Sequence, residues 1–420
     1  RDLVRSRGLG DVYKRQCLFD TTSKNYWTSF PNSFSSSYNF LNIVSLDYVV
    51  AIGFDTSTNN NYRISFQFAK VSSVSESGKT EQTPTIINTV EASSLNNAIN
   101  LMNTYIGKKL NLSHCKVIVF SEEIANNGIA SQIYSLINDT QIRPSANIIV
   151  SKCSAQYYIA NSKPIFENLI TKYYEVFPSS SDYTGYTADT TIGDFFNALE
   201  CELCEPTAIL GGLNTEHSDN TSSINSKKDS SQKSNESTVS GKRATENIGL
   251  AVFKSDKLIG ELNASECLAF LNIKNEVKGF YVTVPSPENS NENIDIYITP
   301  NKDIDVSVKI VNGSPYIKVK ADYSGRIHSL TSNSNYLNEN TLNAISKSCN
   351  SYIESVFSDY LYKTAKDFKS DISGLGKYAL SNFLTNKDFS NYNWHENFKN
   401  SFFDVDVNTS IQSSLLITET

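Results

Sequence analysis

Phe368-Lys-Ser-Asp371-Ile-Ser-Gly374-Leu-Gly376-Lys-Tyr378, followed by Trp394 and by the alternating run Phe403-Asp-Val-Asp-Val-Asn-Thr-Ser-Ile411, decides the architecture of the C-terminal half. Upstream, Leu342, Ile345, Cys349, Ile353, Val356, Phe357, Tyr360, Leu361 and Phe368 recur at helical spacing and define one long amphipathic helix. That helix breaks at Ser370-Asp371, because serine and aspartate side chains compete for backbone hydrogen bonds and favour caps. Asp371 is placed to cap a second helix by accepting a backbone N–H. The Gly374/Gly376 pair lacks the preceding strand and third glycine of a phosphate loop, so it reads as an interhelical bend. Phe403, Val405, Val407, Thr409 and Ile411 share one strand face, so the chain end is expected to supply a closing strand to a sheet. Trp394 stands among polar residues, and a large indole near solvent is a typical interface anchor; Trp394 and Asp371 are therefore the candidate partner-contact residues.

Upstream of the long helix, Ile304, Val306, Val308 and Ile310 alternate with polar residues and Asn312-Gly313 supplies a type I′ turn. Ile317, Val319 and Ala321 return, which predicts a hairpin. Gly279–Val284 and Ile294–Ile298 read as two more strands, Ile248–Leu262 as another hairpin, and Asn263-Ala-Ser-Glu266 as a helix start with capping-box spacing. From Leu46 to Leu210 strand and helix patterns alternate: strands at 49–54, 62–69, 116–120 and 146–150, with a helix capped by Ser93 or Ser94 and carrying Leu95, Ala98, Ile99, Met102 and Ile106. Further helices are expected at 129–137, 165–176 and 192–203. The fold class is α+β (mixed α/β) and multi-domain. A mixed, part-parallel sheet with helices forms the N-terminal domain, and an antiparallel sheet packed on the long helix forms the C-terminal one.

A chain of 420 residues exceeds the roughly 250–300 at which single cores stop growing. Residues 1–16, without a starting Met or an apolar run, read as a non-native, adaptor-like leader. The expected division is then an N-terminal segment 17–45, a first domain 46–213, a flexible linker 214–247, a small middle domain 248–300 and a C-terminal domain 301–420. The linker rests on a Ser/Asn/Lys/Asp/Glu-rich composition too poor in apolar residues to offset its ordering entropy. A net charge of −7, a pI near 5.3 and no Lys/Arg cluster argue against a nucleic-acid partner. No run reaches the eighteen or so apolar residues of a membrane span.

Seven scattered cysteines do not form a disulfide framework. Cys201-Glu-Leu-Cys204 has the spacing of a zinc or dithiol pair, but it falls in an expected helix with no second Cys pair and with His217, in the expected linker, as the only nearby third ligand, so two thiols are the simpler reading. His114 and Cys115 are adjacent on a strand and point to opposite faces. Glu122-Glu123 suits a helix N-terminus and Asp404/Asp406 the polar face of a strand. No catalytic constellation, cofactor or metal site follows from these residues.

Four stretches resemble the Ger(x)C spore germination proteins, the lipoprotein subunits of nutrient germinant receptors. They are Leu46-Asp-Tyr-Val-Val-Ala-Ile-Gly-Phe-Asp55, Leu112-Ser-His-Cys-Lys-Val-Ile-Val-Phe-Ser-Glu-Glu-Ile-Ala125, Ala251-Val-Phe-Lys-Ser-Asp-Lys-Leu-Ile-Gly260 with Glu266-Cys-Leu268, and the Lys369-Ser-Asp, glycine-pair, Trp394 and valine-strand order. The resemblance implies a non-enzymatic receptor subunit at the extracytoplasmic face of the spore inner membrane. It also implies a lipid anchor and association with membrane-spanning subunits. Cys17 is the residue that would bear the lipid, the alternative being an ordinary cysteine. A solute-binding lipoprotein and a cell-wall hydrolase are the other functional classes compatible with an extracytoplasmic α/β chain.

Overall fold

The computed structural model describes residues 46–58, 61–69, 85–163, 167, 169–214, 231–236, 239, 243–287, 292–330 and 338–412. The leader 1–16, the segment 17–45 with Cys17, and most of the expected linker lie outside these residues.

The first half is a sheet with helices on both faces. Its strands are β1 (Leu46–Thr56), β2 (Tyr62–Ala69), β3 (Thr85–Ala92), β4 (Lys109–Asn111), β5 (Val117–Ser121), β6 (Asn147–Ser151), β7 (Thr207–Leu213), β8 (Thr245–Lys254) and β9 (Lys257–Leu262). Spatial order is β3-β2-β1-β5-β6-β7-β8-β9, with β4 beside the start of β1. The central strands β1, β5, β6 and β7 run parallel and are flanked by antiparallel pairs at both edges.

Parallel strands need crossovers and burial on both faces, and the alternation of side chains supplies it. Ile118, Phe120, Ile148 and Val150 face α1 (Leu95–Ile106), α2 (Glu122–Asn127), α3 (Ala130–Asn138) and, further along the chain, α7 (Ile192–Leu199). Val117, Val119 and Ile149 face the opposite way, onto α4 (Ala155–Asn161) and α5 (Ile170–Val176), and a one-turn α6 (Ser181–Thr184) follows. Ser94 caps α1 by accepting the Asn97 N–H at 3.2 Å, as its position before the apolar repeat predicts.

Helix α8 (Ala264–Ile273) begins with the expected Asn263/Glu266 capping box. A second sheet follows, made of β10 (Phe280–Pro285), β11 (Asn293–Pro300), β12 (Asp305–Val311), β13 (Ser314–Leu330) and β14 (Phe402–Gln412), with the 25-residue α9 (Glu339–Lys363) on its inner face. Asn312 and Gly313 take positive φ of 51° and 82°, the left-handed pair the β12–β13 turn requires. Beyond α9 come α10 (Gly376–Ala379), α11 (Asn386–Tyr392) and α12 (Trp394–Phe398).

The chain end closes this sheet as expected, but β14 joins β13 in parallel, Tyr316 opposite Phe402 through Arg326 opposite Gln412. The connection through α9–α12 carries the chain back over the inner face, which returns it in the same direction. On its far edge β14 is covered by α9. The Val407 N–H donates to Glu354 Oε1 at 3.2 Å and the Phe403 N–H reaches Tyr362 Oη at 3.5 Å.

Residues 248–300, expected as a middle domain, are instead divided between the sheets: β8 and β9 extend the first, β10 and β11 open the second. The reason lies in the two faces of β8. Ala251 and Phe253 fill the first core, whereas Leu250 and Val252 share a core with α8, α9 and the second sheet. Part of the expected linker is also fixed. Ser234 is buried, its hydroxyl accepts the Ile248 N–H at 2.8 Å, and its N–H donates to the Ile248 carbonyl at 3.0 Å.

Because β14 is an integral strand, a chain ending at Ser401 is expected to lose cooperative unfolding of the second sheet. Circular dichroism melting would show a broadened or missing transition, and a native-like melt would refute the role given to β14.

Candidate functional site

The Lys-Ser-Asp break is built residue by residue. Helix α9 runs into one π turn, Thr364–Phe368, and Lys369 leaves it with φ 51°, the left-handed conformation that ends a helix. Ser370 turns its hydroxyl to the carbonyl of Phe253 in β8, at 3.3 Å, so the break is tied to the first sheet. Asp371 then points inward and is 1% exposed.

Its carboxylate gathers three donors: the Leu375 N–H on Oδ1 at 2.9 Å, and the Gly376 N–H at 2.7 Å and Trp394 Nε1–H at 2.9 Å on Oδ2. Asp371 thus accepts two N–H groups at the start of α10, as expected of a capping carboxylate, although the N-cap residue itself is Leu375, and the indole joins it. Both glycines are required by this geometry. Gly374 sits at φ 66°, and a Cβ on Gly376 would lie 2.8 Å from the indole nitrogen. Next to it the Tyr360 hydroxyl meets Ser373 Oγ at 2.5 Å, linking α9 to the same loop.

Trp394 is therefore not a solvent-side anchor. It is 2% exposed, packs on Phe398 with ring centroids 5.9 Å apart, and spends its one donor on Asp371. Its polar neighbours belong to the outer faces of α11 and α12. Both residues named from sequence as partner contacts are thus brought together inside the fold, where each side chain is buried.

A short polar chain extends from this node into the first half. His395 Nε2 contacts the Glu202 carbonyl at 2.6 Å and its Nδ1 lies 3.7 Å from Glu205 Oε1, while Glu205 Oε2 accepts the Ser255 N–H at 2.7 Å. Helix α7 stops at Leu199, so Cys201 and Cys204 lie in a turn, not in the expected helix, and are joined as a disulfide, not left as two thiols. Burial pushes the Asp371 carboxyl above its ordinary range despite its N–H donors and the nearby His395, and burial likewise raises Glu205.

The other candidates resolve as follows. His114 packs edge-on against Tyr48 at 4.7 Å, and Cys115 is buried and pushed up to about 12 by desolvation. Asp404 and Asp406 lie on the outer sheet face, with Lys318 Nζ at 2.6 Å and 3.8 Å. Glu122 and Glu123 occupy the first turn of α2, as expected. Among the described residues no group of three His, Cys, Asp or Glu converges as metal ligands would.

Sequence reasoning missed a crevice of about 480 Å3 beyond the carboxyl ends of β1, β5 and β6, lined by Asp55, Thr56, Ser121, Glu122, Lys152 and Cys153 among others. The pieces are far apart in sequence, and only the pairing of β1 with β5 and β5 with β6 brings them level. Burial raises the Cys153 thiol, so it stays protonated and is a poor nucleophile. Asp55 is held by the Ala155 and Gln156 N–H groups of α4 at 2.7 and 3.0 Å.

Residues 40–210 match a family model described as spore germination protein N-terminal domain, and residues 248–414 one described as spore germination B3/GerAC like, C-terminal. The chain belongs to the Ger(x)C family of spore germination proteins. It is similar to spore germination protein KC of Bacillus subtilis (strain 168), 23% identical over 341 residues that cover 80% of this chain and 81% of that protein. A crystal structure of the GerBC protein superposes with a TM-score of 0.50 at 16% identity, covering 86% of this chain and 96% of that one, and so shares the fold.

Two outcomes follow from the node. Trp394→Ala removes a fully buried indole and one donor to Asp371, and is expected to cost about 3–5 kcal/mol in urea unfolding; a change under about 1 kcal/mol would return Trp394 to the surface. For pH, a carboxyl whose folded pKa is raised contributes most stability below its unfolded value near ~3.9 and loses it as pH rises through the folded value. The stability gap between wild type and Asp371→Asn should therefore shrink from pH 4 to pH 7, and a widening gap would contradict the raised pKa.

Proposed function

We propose that this chain is a non-enzymatic subunit of a spore nutrient germinant receptor. It acts by assembling with membrane-spanning subunits on the extracytoplasmic face of the spore inner membrane. The observation that carries this reading is family membership through both halves of the chain, with the motifs of the likeness serving structural ends. The Lys-Ser-Asp segment, the glycine pair and the tryptophan build one buried node, and the Ala251–Gly260 hairpin builds the strands β8 and β9 that bind the two sheets into one body. A rigid two-sheet body suits an assembly subunit. No helix among the described residues is long and apolar enough to cross a membrane. In this reading attachment comes from a lipid on Cys17 and from the partner subunits.

The test is made in spores carrying a tagged chain with its native upstream sequence. Multi-spanning proteins encoded beside it are expected to co-purify after detergent extraction, and deletion should abolish the response to at least one nutrient while spores still form. Cys17→Ser should move the chain out of the membrane fraction. Recovery of the tagged chain alone, together with an unchanged nutrient response after deletion, would overturn the proposal.

A further inference from the structure

The β12–β13 turn and the short helices packed beside it form one end of the second sheet. Asn382 Nδ2 donates to the Val308 carbonyl of β12 at 2.9 Å, and the Tyr392 hydroxyl donates to the Gly313 carbonyl of the turn at 2.9 Å. Phe383 strengthens this joint, its ring centroid 5.3 Å from that of Phe389 and 5.2 Å from that of Tyr392.

The next residue, Leu384, is 99% exposed and projects clear of the body. It is nevertheless held at its base, between the packed Phe383 ring and Thr385, which caps α11 by accepting the Asp388 N–H at 3.2 Å. Single exposed leucines are ordinary on protein surfaces. This one shares its end of the sheet with two further exposed aliphatic side chains, Leu380 and Val311.

Each of the three has an exposed lysine close to it in the chain. Lys309 precedes Val311 by two positions on the same strand face, Lys377 precedes Leu380 by three, and Lys387 follows Leu384 by three in the first turn of α11. None of these lysines forms an ion pair with a described residue, although Lys377 Nζ lies 4.9 Å from the centre of the Tyr378 ring. The nearby acids are fewer and partly engaged. Asp388 accepts the Thr385 hydroxyl at 2.7 Å, Glu396 holds Lys399 at 3.2 Å, and Asp404 and Asp406 share Lys318 further along the outer face. The tip therefore carries an excess of positive charge around isolated aliphatic side chains.

That pattern suits a fluid anionic surface better than a protein. A protein partner covers roughly 800 Å2 per side around a packed apolar centre, which aliphatic groups spaced by lysines do not build. A bilayer requires no matching surface: aliphatic side chains sink to the acyl boundary while lysine stems follow them and leave their ammonium groups among the lipid phosphates.

We propose that the tip Leu380–Lys387, with Lys377 and with Lys309 and Val311 of β12, docks the folded C-terminal half directly onto an anionic lipid surface. Leu384 enters the acyl boundary, and the three lysines meet the headgroup phosphates. The contact is non-covalent and uses neither Cys17 nor a partner subunit.

The full chain, unlipidated, is sedimented with vesicles of phosphatidylglycerol and phosphatidylcholine, and with vesicles of phosphatidylcholine alone. Saturable binding is expected on the mixed vesicles and binding at least about tenfold weaker on the neutral ones, since each lysine near an anionic surface contributes about fivefold. Leu384→Ser should weaken binding to the mixed vesicles by about tenfold, and Lys377→Gln combined with Lys387→Gln by about tenfold or more. Tyr105→Ser, which replaces an exposed aromatic side chain on α1, should leave it unchanged. Thermal melts of the tip variants should match wild type, because the replaced groups are exposed. No vesicle binding at all would assign the tip to a protein partner, binding unmoved by Leu384→Ser would reduce it to adhesion of a charged surface, and equal binding to neutral vesicles would remove the lysines from the contact; each result overturns the proposal. No receptor subunit is present in this experiment, so its failure is distinct from a failure of the assembly reading.

Discussion

The Asp371 carboxylate is the interaction on which the C-terminal half depends. Three N–H donors converge on it from two segments, the start of α10 with the residue before it and the first residue of α12. A charge this deep is costly to desolvate, and satisfying its lone pairs is what makes its burial tolerable. Everything around it is shaped to permit that satisfaction: a left-handed Lys369 turns the chain, Gly374 bends it, and Gly376 leaves room for the indole. Once the indole is fixed, Phe398 and the following strand are fixed with it, and β14 can enter in parallel beside β13.

The same segment joins the two sheets. Ser370 is bonded to β8, His395 to the Glu202 turn, and Lys363 near the end of α9 to Glu266 at 2.7 Å and to the Glu261 carbonyl at 3.0 Å. Helix α8 completes the joint by burying nearly all of its residues between β8, β9 and α9. Apolar burial on every side leaves such a helix little freedom, so the sheets behave as one packed body and not as beads on a linker. A family motif that looks like a site is, in this chain, the fastening of that body.

Much of this was legible where local chemistry and tertiary structure agree. The Asn312-Gly313 turn, the Asn263/Glu266 box, the Ser94 cap and the apolar face of α9 each specify their own geometry within a few residues. Legibility ended where tertiary pairing decides. β7, with two glycines in seven residues, has weak strand character and is stabilised by its neighbours β6 and β8. Trp394 reads as exposed because its sequence neighbours are polar, although the Trp394/Phe398 spacing of four is the signature of a helix face turned inward. The crevice beyond β1, β5 and β6 could not be recognised at all from sequence, since only the completed strand pairing brings its lining residues level.

A double-mutant cycle between Asp371 and Trp394 tests the central claim most directly. Urea unfolding of wild type, Asp371→Asn, Trp394→Phe and the double variant isolates the energy of the buried carboxylate–indole bond from the packing each substitution disturbs. The account predicts a coupling of about 1–3 kcal/mol, the range for a hydrogen bond to a charged group in a buried setting. Additive effects, with coupling below about 0.5 kcal/mol, would show that the indole is held by packing alone and that Asp371 is not the point from which this half of the molecule is organised.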